Sequence, residues 1–190
     1  MKKGIVAAAA LFAASSAHAQ ERFGAKGQVV PSGSAGFSYS SISVTGASAS
    51  VVGLQMSPGV LFFVRDGIAL GGKLAFVYQH VSAGGTSDSA SSFGIGPVAG
   101  VNAPLGERVS WFPQLGITFL TRDLFVAANA PRLNTLALEM FAPFLFHPVR
   151  HFFLGGGPSF SADVVAGINT PGEAPKTVAV GVQSVIGGWF

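Results

Sequence analysis

The residues with the chemistry of a nucleophile and a base are Ser82 and His80, which are separated by one valine. Side chains two positions apart in a β-strand lie on the same face, so this imidazole is placed to take the proton of the hydroxyl. A serine nucleophile also needs an acid that orients its histidine. The next alternating segment, Ser91–Ala103, contains no carboxylate, and Asp88 lies in a serine-rich stretch before it. The pattern therefore favours an interfacial histidine beside loop serines over a hydrolytic site.

This His-x-Ser pair resembles that of the outer-membrane lipid A deacylases, in which a glutamate on the neighbouring strand supplies the acid. The resemblance implies a hydrolase that works on the lipid-facing side of a barrel. Because the glutamate is absent, we expect no enzymatic activity and keep a lipid A-modifying hydrolase only as the second alternative.

No other group of residues predicts a cofactor or metal site. The chain has no cysteine, so it has neither disulfides nor thiolate ligands. His147 and His151 flank a turn without a nearby pair of carboxylates, and we expect no metal there. Gly94, Gly96 and Ala99 match a dinucleotide-binding pattern, but they lie in a predicted strand that no helix follows.

Eight segments of the chain alternate between apolar and small or polar residues with a period of two, which is typical of strands whose faces meet different surroundings. Each is longer than the ~9–11 residues with which a tilted strand crosses a bilayer. They predict an all-β fold, an eight-stranded antiparallel transmembrane barrel with both termini periplasmic. The segments are Gln28–Ile42, Ser50–Val64, Ile68–Ser82, Ser91–Ala103, Arg108–Thr121, Asn134–Phe146, His151–Val164 and Thr177–Phe190.

The connections alternate between short turns and longer loops. Three are short turns with Asp-Gly, Pro-Leu-Gly or His-Pro signals, at Arg65–Gly67, Pro104–Arg108 and His147–Arg150. The four predicted loops are Ser43–Ala49, Ala83–Ala90, Arg122–Leu133 and Val165–Lys176.

The composition is that of a membrane barrel rather than a soluble domain. Apolar residues make up 49% of the chain and charged residues 10%, against ~25% charged in ordinary soluble domains. The mature chain has no run of 18 apolar residues, which excludes helical spans, and a closed barrel pairs every backbone group within lipid. Without Lys2 and Lys3, nine of the eleven basic residues remain, against eight acidic ones. This near balance of charge gives no reason to expect nucleic-acid binding. The runner-up fold is a soluble lipocalin-like carrier.

The amino terminus has the pattern of a secretory signal peptide. Lys2 and Lys3 precede an apolar run over Ile5–Ala14, and Ala-His-Ala follows at 17–19. We therefore expect a signal peptide over residues 1–19 and the barrel over residues 20–190.

The last residue, Phe190, ends the final alternating segment. An aromatic residue in this place resembles the C-terminal signal of bacterial outer-membrane β-barrels, which the barrel assembly machinery reads. The resemblance implies that Phe190 is an assembly signal.

The hairpin SPGVLFFVRDGIALGG, Ser57–Gly72, resembles a recurring hairpin of the small outer-membrane β-barrel domain family, which is OmpA-like in architecture. The shared pattern is a proline, an aromatic strand end, a tight turn with aspartate, and Ala-Leu-Gly, with Gly67 where an asparagine is expected. The resemblance implies an integral protein of the bacterial outer membrane, in contact with its lipid and lipopolysaccharide, without a periplasmic peptidoglycan-binding domain.

Lys73 and Glu139 are the two charged residues that lie well inside predicted strands. A lysine facing lipid at mid-membrane costs ~2–4 kcal/mol, so both are expected to point inward. Lys73 lies about six residues beyond the first short turn and Glu139 about eight before the third, which at ~3.3 Å per residue gives similar depths. We predict a lumenal ion pair between them.

The remaining side chains predict a structural or interaction barrel with a packed polar lumen, because side chains fill barrels of this size. Inward glycines leave some space, so a narrow pore for small solutes is the alternative. Aromatic residues near the short turns predict an interfacial girdle. The predicted inward polar residues besides the ion pair are Gln55, Gln114, Ser159 and Gln183. The girdle is Phe62, Phe63, Trp111, Phe112, Phe144, Phe146, Phe152, Phe153, Trp189 and Phe190.

Five prolines fall within the predicted strands, where each removes a hydrogen-bond donor from the sheet. The sequence offers no reason for so many. They are Pro58, Pro97, Pro113, Pro143 and Pro158.

Overall fold

A computed structural model describes residues 22–44, 47–83, 86–123, 132–168 and 178–190. The predicted signal peptide lies outside the described residues. Within these ranges no helix is long and apolar enough to cross a bilayer. The strands of the described residues are β1 (Val29–Val44), β2 (Ala47–Arg65), β3 (Ile68–Ala83), β4 (Thr86–Val101), β5 (Ala103–Pro104), β6 (Val109–Trp111), β7 (Gln114–Asp123), β8 (Arg132–Phe141), β9 (Phe144–Phe146), β10 (Phe152–Ile168) and β11 (Val178–Gly188).

The strands form one antiparallel sheet that closes on itself. Its order around the barrel is β1, β2, β3, β4, β7, β8, β10 and β11, and β11 pairs again with β1. The short strands β5, β6 and β9 extend this wall at one end. The predicted eight-stranded antiparallel barrel is confirmed.

Two of the predicted loops are wrong. The predicted loops Ser43–Ala49 and Ala83–Ala90 are strand along most of their length, because β1 pairs with β2, and β3 with β4, almost to the hairpin tips. Serine, alanine and glycine are frequent in these stretches, which weakens the apolar alternation there. The other two predicted loops, Arg122–Leu133 and Val165–Lys176, lie largely outside the described residues.

Alternation along the strands gives the barrel an apolar outer face. On β3, Leu70, Phe76 and Tyr78 point outward and are 45–49% exposed, whereas Ala69 and Ala75 are buried inside. The same parity holds on β8, where large apolar side chains alternate with inward ones. The outer surface of the barrel is therefore a continuous apolar band.

The prolines lie where the sheet is interrupted, which explains how the wall tolerates them. Pro113 separates β6 from β7, and Pro143 separates β8 from β9. The β2–β3 pairing passes over Pro58, and the β4–β7 pairing passes over Pro97. The carbonyls of Pro113, Pro143 and Pro158 still accept backbone hydrogen bonds of 2.9–3.0 Å from neighbouring walls. Each missing donor thus falls where no ladder bond is needed.

The largest buried cluster lies at the end of the barrel that carries the three short turns and Phe190, which we call the terminal end. It is apolar and rich in aromatic rings, unlike the rest of the interior. Its members are Phe23, Val30, Leu61, Phe63, Ala69, Val98, Phe112, Leu145, Phe153, Val185 and Trp189.

Candidate functional site

Four aromatic side chains of the barrel enclose the ring of Phe23 inside the terminal end. The rings of Phe63, Phe112, Phe153 and Trp189 have centroids 5.3–5.4 Å from that of Phe23. All five side chains are buried. Such ring pairs contribute ~0.5–1.5 kcal/mol each beyond the burial of their area. We call these five residues the aromatic plug, because their rings pack against one another inside the terminal end.

The prediction that all of these aromatic residues form an outward girdle is wrong for those that point into the barrel. Adjacent aromatic residues such as Phe62 and Phe63 point to opposite faces of a strand, so only one of the two rings faces outward. Phe62 is 45% exposed, whereas Phe63 is fully buried. The sequence did carry a signal for the plug in its repeated aromatic doublets. These are Phe62-Phe63, Trp111-Phe112, Phe152-Phe153 and Trp189-Phe190.

Phe23 belongs to a segment before the first strand, and the backbone of that segment is fastened to the barrel. Asn102 Nδ2 donates to the carbonyl of Phe23 at 2.9 Å, and the Gly67 amide donates to the carbonyl of Gly24 at 2.8 Å. The Gly24 amide donates to Gln28 Oε1 at 2.8 Å. Gly24 has a φ of 106°, which favours glycine. Sequence reasoning missed Phe23 because this segment lies outside the alternating pattern.

His147 closes the plug from the third short turn. Its ring centroid lies 5.1 Å from that of Phe23 and 5.2 Å from that of Trp189. Nε2 lies 2.9 Å from Ser110 Oγ, and burial lowers the pKa of His147 below its usual value of 6.5. His151 has a different partner, the carbonyl of Trp189, 2.8 Å from its Nδ1. The structure therefore gives these two histidines separate structural roles.

Lys73 and Glu139 meet across the lumen. Lys73 Nζ forms a salt bridge with Glu139 Oε2, and Thr118 Oγ1 donates to the same oxygen at 2.8 Å. β4 and β7 lie between β3 and β8 in the sheet, so the pair joins separate walls. The two side chains are 20% and 13% exposed, so both charges are mostly withdrawn from solvent.

Glycines on the neighbouring strands clear the path of the lysine side chain. Lys73 is paired with Gly59 on β2 and with Gly96 on β4, and Glu139 is paired with Gly116 on β7. A Cβ atom at Gly59 would lie 3.1 Å from the Cβ of Lys73, and one at Gly116 would lie 3.6 Å from its Cε. Larger residues at these positions would narrow the route that the lysine takes to Glu139.

A cavity of about 280 Å³ lies beside the ion pair. All four of the predicted inward polar residues line it, together with Lys73 and Glu139. The lumen is thus packed with rings at the terminal end and holds a cavity beside the ion pair, lined by both polar and apolar side chains. The four residues are Gln55, Gln114, Ser159 and Gln183.

His80 lies in a chain of hydroxyl groups. Its Nε2 is 3.3 Å from Ser82 Oγ, and its Nδ1 is 3.0 Å from Ser89 Oγ. The register pairs His80 with Ser89 and pairs Asp88 with Val81. A serine therefore stands where a hydrolytic triad has its acid.

Phe190 lies where the first and last strands of the barrel meet. Its amide and carbonyl exchange hydrogen bonds of 3.0 and 2.9 Å with Val29, at the start of β1. Its ring is 43% exposed and stacks on His151 with centroids 6.3 Å apart. The last residue thus presents an aromatic ring on the outside of the closing strands.

The fold matches that of a known outer-membrane protein. No protein-family model and no curated protein match the chain. The crystal structure of the outer membrane protein OprG from Pseudomonas aeruginosa is similar, with a TM-score of 0.57 and 16% identity over 89% of this chain and 98% of that one. The chain shares the OprG fold. The translocator domain of autotransporter NalP from Neisseria meningitidis matches at a TM-score of 0.38 and 14% identity, over 98% of this chain and 95% of that one, too low to carry an argument. Membership of the OmpA-like family stays a prediction.

The ion pair should show energetic coupling. Glu139→Gln leaves the lysine charge without its partner and should destabilise more than Lys73→Met combined with Glu139→Gln. We expect a coupling of roughly 2 kcal/mol, between the ~0–1 kcal/mol of exposed pairs and the ~3–5 kcal/mol cost of breaking dry buried ones. A double-mutant cycle in urea measures it, and a coupling of zero would show that the two charges are solvated separately.

The stability of the barrel should decrease as the pH drops, because His147 becomes protonated. Because its pKa is lowered in the folded protein, the unfolded chain binds this proton first as the pH drops. The contribution of neutral His147 to the free energy of unfolding is complete above a pH of about 6.5. It decreases below that pH and is lost once the pH has passed the lowered pKa of the folded state. Thermal unfolding at pH 7.5 and 5.5, followed by gel mobility, measures the change. His147→Asn should have a smaller pH dependence, and an equal dependence in both proteins would contradict this assignment.

Proposed function

We propose that the protein is a structural or interaction barrel of the bacterial outer membrane that is closed to the flow of solutes. The continuous outward band of large apolar side chains supports a location in lipid, since a water-exposed surface of this kind would promote aggregation. The similarity in fold to OprG, an outer membrane protein, supports the same location.

The aromatic plug carries the proposal that the barrel is closed. A passage through the terminal end would have to remove Phe23 from four surrounding rings. Exposing a buried phenylalanine costs ~1.5–3 kcal/mol, and each lost ring pair adds ~0.5–1.5 kcal/mol. The sum exceeds roughly 3 kcal/mol, so the closed form should outnumber an open one by more than ~100 to one.

The polar cavity supports the alternative, a narrow pore for small solutes. Amide, hydroxyl and charged groups, together with apolar side chains such as Leu61 and Val98, line about 280 Å³ of space beside the ion pair. Such a pore would conduct only if Phe23 and the segment before β1 moved out of the lumen, because in our proposal the aromatic plug blocks the lumen at the terminal end. The two functions therefore differ in one measurable property, the conductance of the native barrel.

The partners that we propose are membrane components and the assembly machinery. The apolar band would contact outer-membrane lipid and lipopolysaccharide. The exposed ring of Phe190, held outward beside Val29, supports its role as the signal that the barrel assembly machinery reads.

We propose no enzymatic activity for the His80 and Ser82 pair. The described hydrogen-bond partners of His80 are the hydroxyls of Ser82 and Ser89. A neutral hydroxyl does not stabilise an imidazolium as a carboxylate does, so the described partners of His80 do not supply the acid that a nucleophilic serine needs.

The conductance of refolded protein in planar bilayers tests the closed barrel. The wild type should show no steady current. Phe23→Ala should show brief openings, because it leaves a ring-sized gap at the centre of the plug. Phe62→Ala, which removes a neighbouring outward ring, should stay silent as the matched control. Steady conductance by the wild type would instead support the pore.

The location and the role of Phe190 can be tested together under native expression. The wild type should fractionate with outer membranes and migrate anomalously on unheated denaturing gels. Phe190→Ala, which keeps the backbone pairing with Val29, should reach the membrane at a lower level but unfold at a similar urea concentration. Normal levels of this variant would contradict the signal role. Folded wild-type protein recovered from the periplasm without detergent would contradict the location.

A further inference from the structure

A β-bulge beside the first short turn directs Arg65 to the outer face of the barrel. On β2, Phe63 pairs with Ala69, and both side chains are buried inside. The register shifts after Phe63, and Arg65 then pairs with Ile68, which is 40% exposed on the outer face. Directly paired residues lie on the same face of a sheet, so Arg65 points outward. Without the extra residue of the bulge, Arg65 would share the inward parity of Phe63.

Arg65 follows the last apolar residue on the outer face of β2. Toward the terminal end, the exposed positions of this strand are Val60, Phe62 and Val64, and Arg65 comes next. A change from apolar and aromatic side chains to a charge is typical of the border between hydrocarbon and head groups. An outward arginine is costly at mid-membrane and costs little at the interface. In the proposed membrane location, Arg65 therefore lies at the level of the lipid phosphates.

The guanidinium of Arg65 is exposed, and among the described residues it forms no salt bridge. The carboxylate of the neighbouring Asp66 is engaged elsewhere, since its Oδ1 accepts a hydrogen bond of 2.8 Å from the Lys26 amide in the segment before β1. A planar guanidinium can form two parallel hydrogen bonds with one phosphate group. The outward side of Arg65 can therefore receive an anion from the membrane.

The terminal end as a whole is basic. Among the described residues it exposes five basic and two acidic side chains, an excess of three positive charges. Such an excess beside a membrane attracts anionic lipids over a longer range than the contact at Arg65 does. The basic residues are Arg22, Lys26, Arg65, Arg108 and Arg150, and the acidic residues are Asp66 and Glu107.

We propose that Arg65 and the outward apolar side chains beside it form a binding site for an anionic phospholipid of the periplasm-facing leaflet. The phosphate lies against the guanidinium, and the acyl chains lie along Val64, Ile68 and Val101. Val101 pairs with Ile68 and is exposed, so it extends this apolar surface onto β4. The positive excess of the terminal end favours an anionic lipid over a zwitterionic one. The inference rests on the membrane location proposed above and adds a lipid partner to it.

The lipid preference is tested with a fluorophore on Leu70→Cys, an outward position near Ile68, since the chain has no cysteine of its own. The protein is placed in phosphatidylcholine nanodiscs that hold a small fraction of a lipid with brominated chains, which quench the fluorophore. At low salt, phosphatidylglycerol should quench as well as ~5 times as much phosphatidylcholine. The preference should decrease toward equality at ~1 M salt, where charges are screened within ~3 Å. Equal quenching by the two lipids at low salt would overturn the inference.

Variants of two arginines locate the phosphate. Arg65→Gln should remove at least half of the preference, and Arg65→Lys, which keeps the charge, should retain most of it. Arg108→Gln is the matched control, because it removes the same charge from the same end of the barrel. The Arg108 carbonyl accepts the amide of the inward His147 at 2.8 Å, so this residue lies beside the mouth and not on the outer wall. Its loss should leave most of the preference, and gel mobility shows that each variant is folded. An equal effect of Arg65→Gln and Arg108→Gln would contradict a site at Arg65.

Inorganic phosphate distinguishes a lipid site from a general anion site. At millimolar concentration it should leave the preference for phosphatidylglycerol unchanged relative to chloride of equal ionic strength, because it has no acyl chains to lie on the outer face. Loss of the preference in phosphate would show a general anion site and overturn the inference. Insertion of the wild type without any lipid preference would contradict the inference alone. Failure of the wild type to insert into nanodiscs would contradict the membrane location and the inference with it.

Discussion

The interior of this protein depends on one constraint, which is that a closed wall of strands offers only every second residue to the lumen. In an eight-stranded barrel that lumen is a few side chains wide, so the size of each inward residue decides whether a layer is full or hollow. At the terminal end the inward positions carry rings, and the layer is full. Deeper in the barrel, the neighbours of Lys73 are Gly59 and Gly96, and the interior opens into a cavity.

The architecture was predictable from the sequence because two independent kinds of residue fix the same parity. Leu70 and Phe76 favour the outer face of β3, and Lys73 is expelled from that face by the cost of a charge in lipid. The same reasoning applies to Glu139 on β8. Counting residues from the short turns then puts both charges at similar depth, and the structure brings them into contact. The strand positions that alternation provides are sufficient to place both charges.

The plug was not predictable in this way, because it depends on contacts between distant parts of the chain. Phe23 lies in a segment without periodicity, and its position is set by Asn102 and by the turn at Gly67. Counting aromatic residues could not assign them to a face, since doublets such as Phe152-Phe153 place one ring on each side.

The contact between Phe23 and Trp189 joins nearly the first described residue to nearly the last. Contacts this far apart in sequence carry a large cost in loop-closure entropy, which slows folding. Phe23 also needs the turns between β2 and β3 and between β4 and β7 to be complete. The contact between Phe23 and Trp189 therefore cannot form before the last strand is present. A complete aromatic plug requires a complete barrel, because its last member follows the last strand.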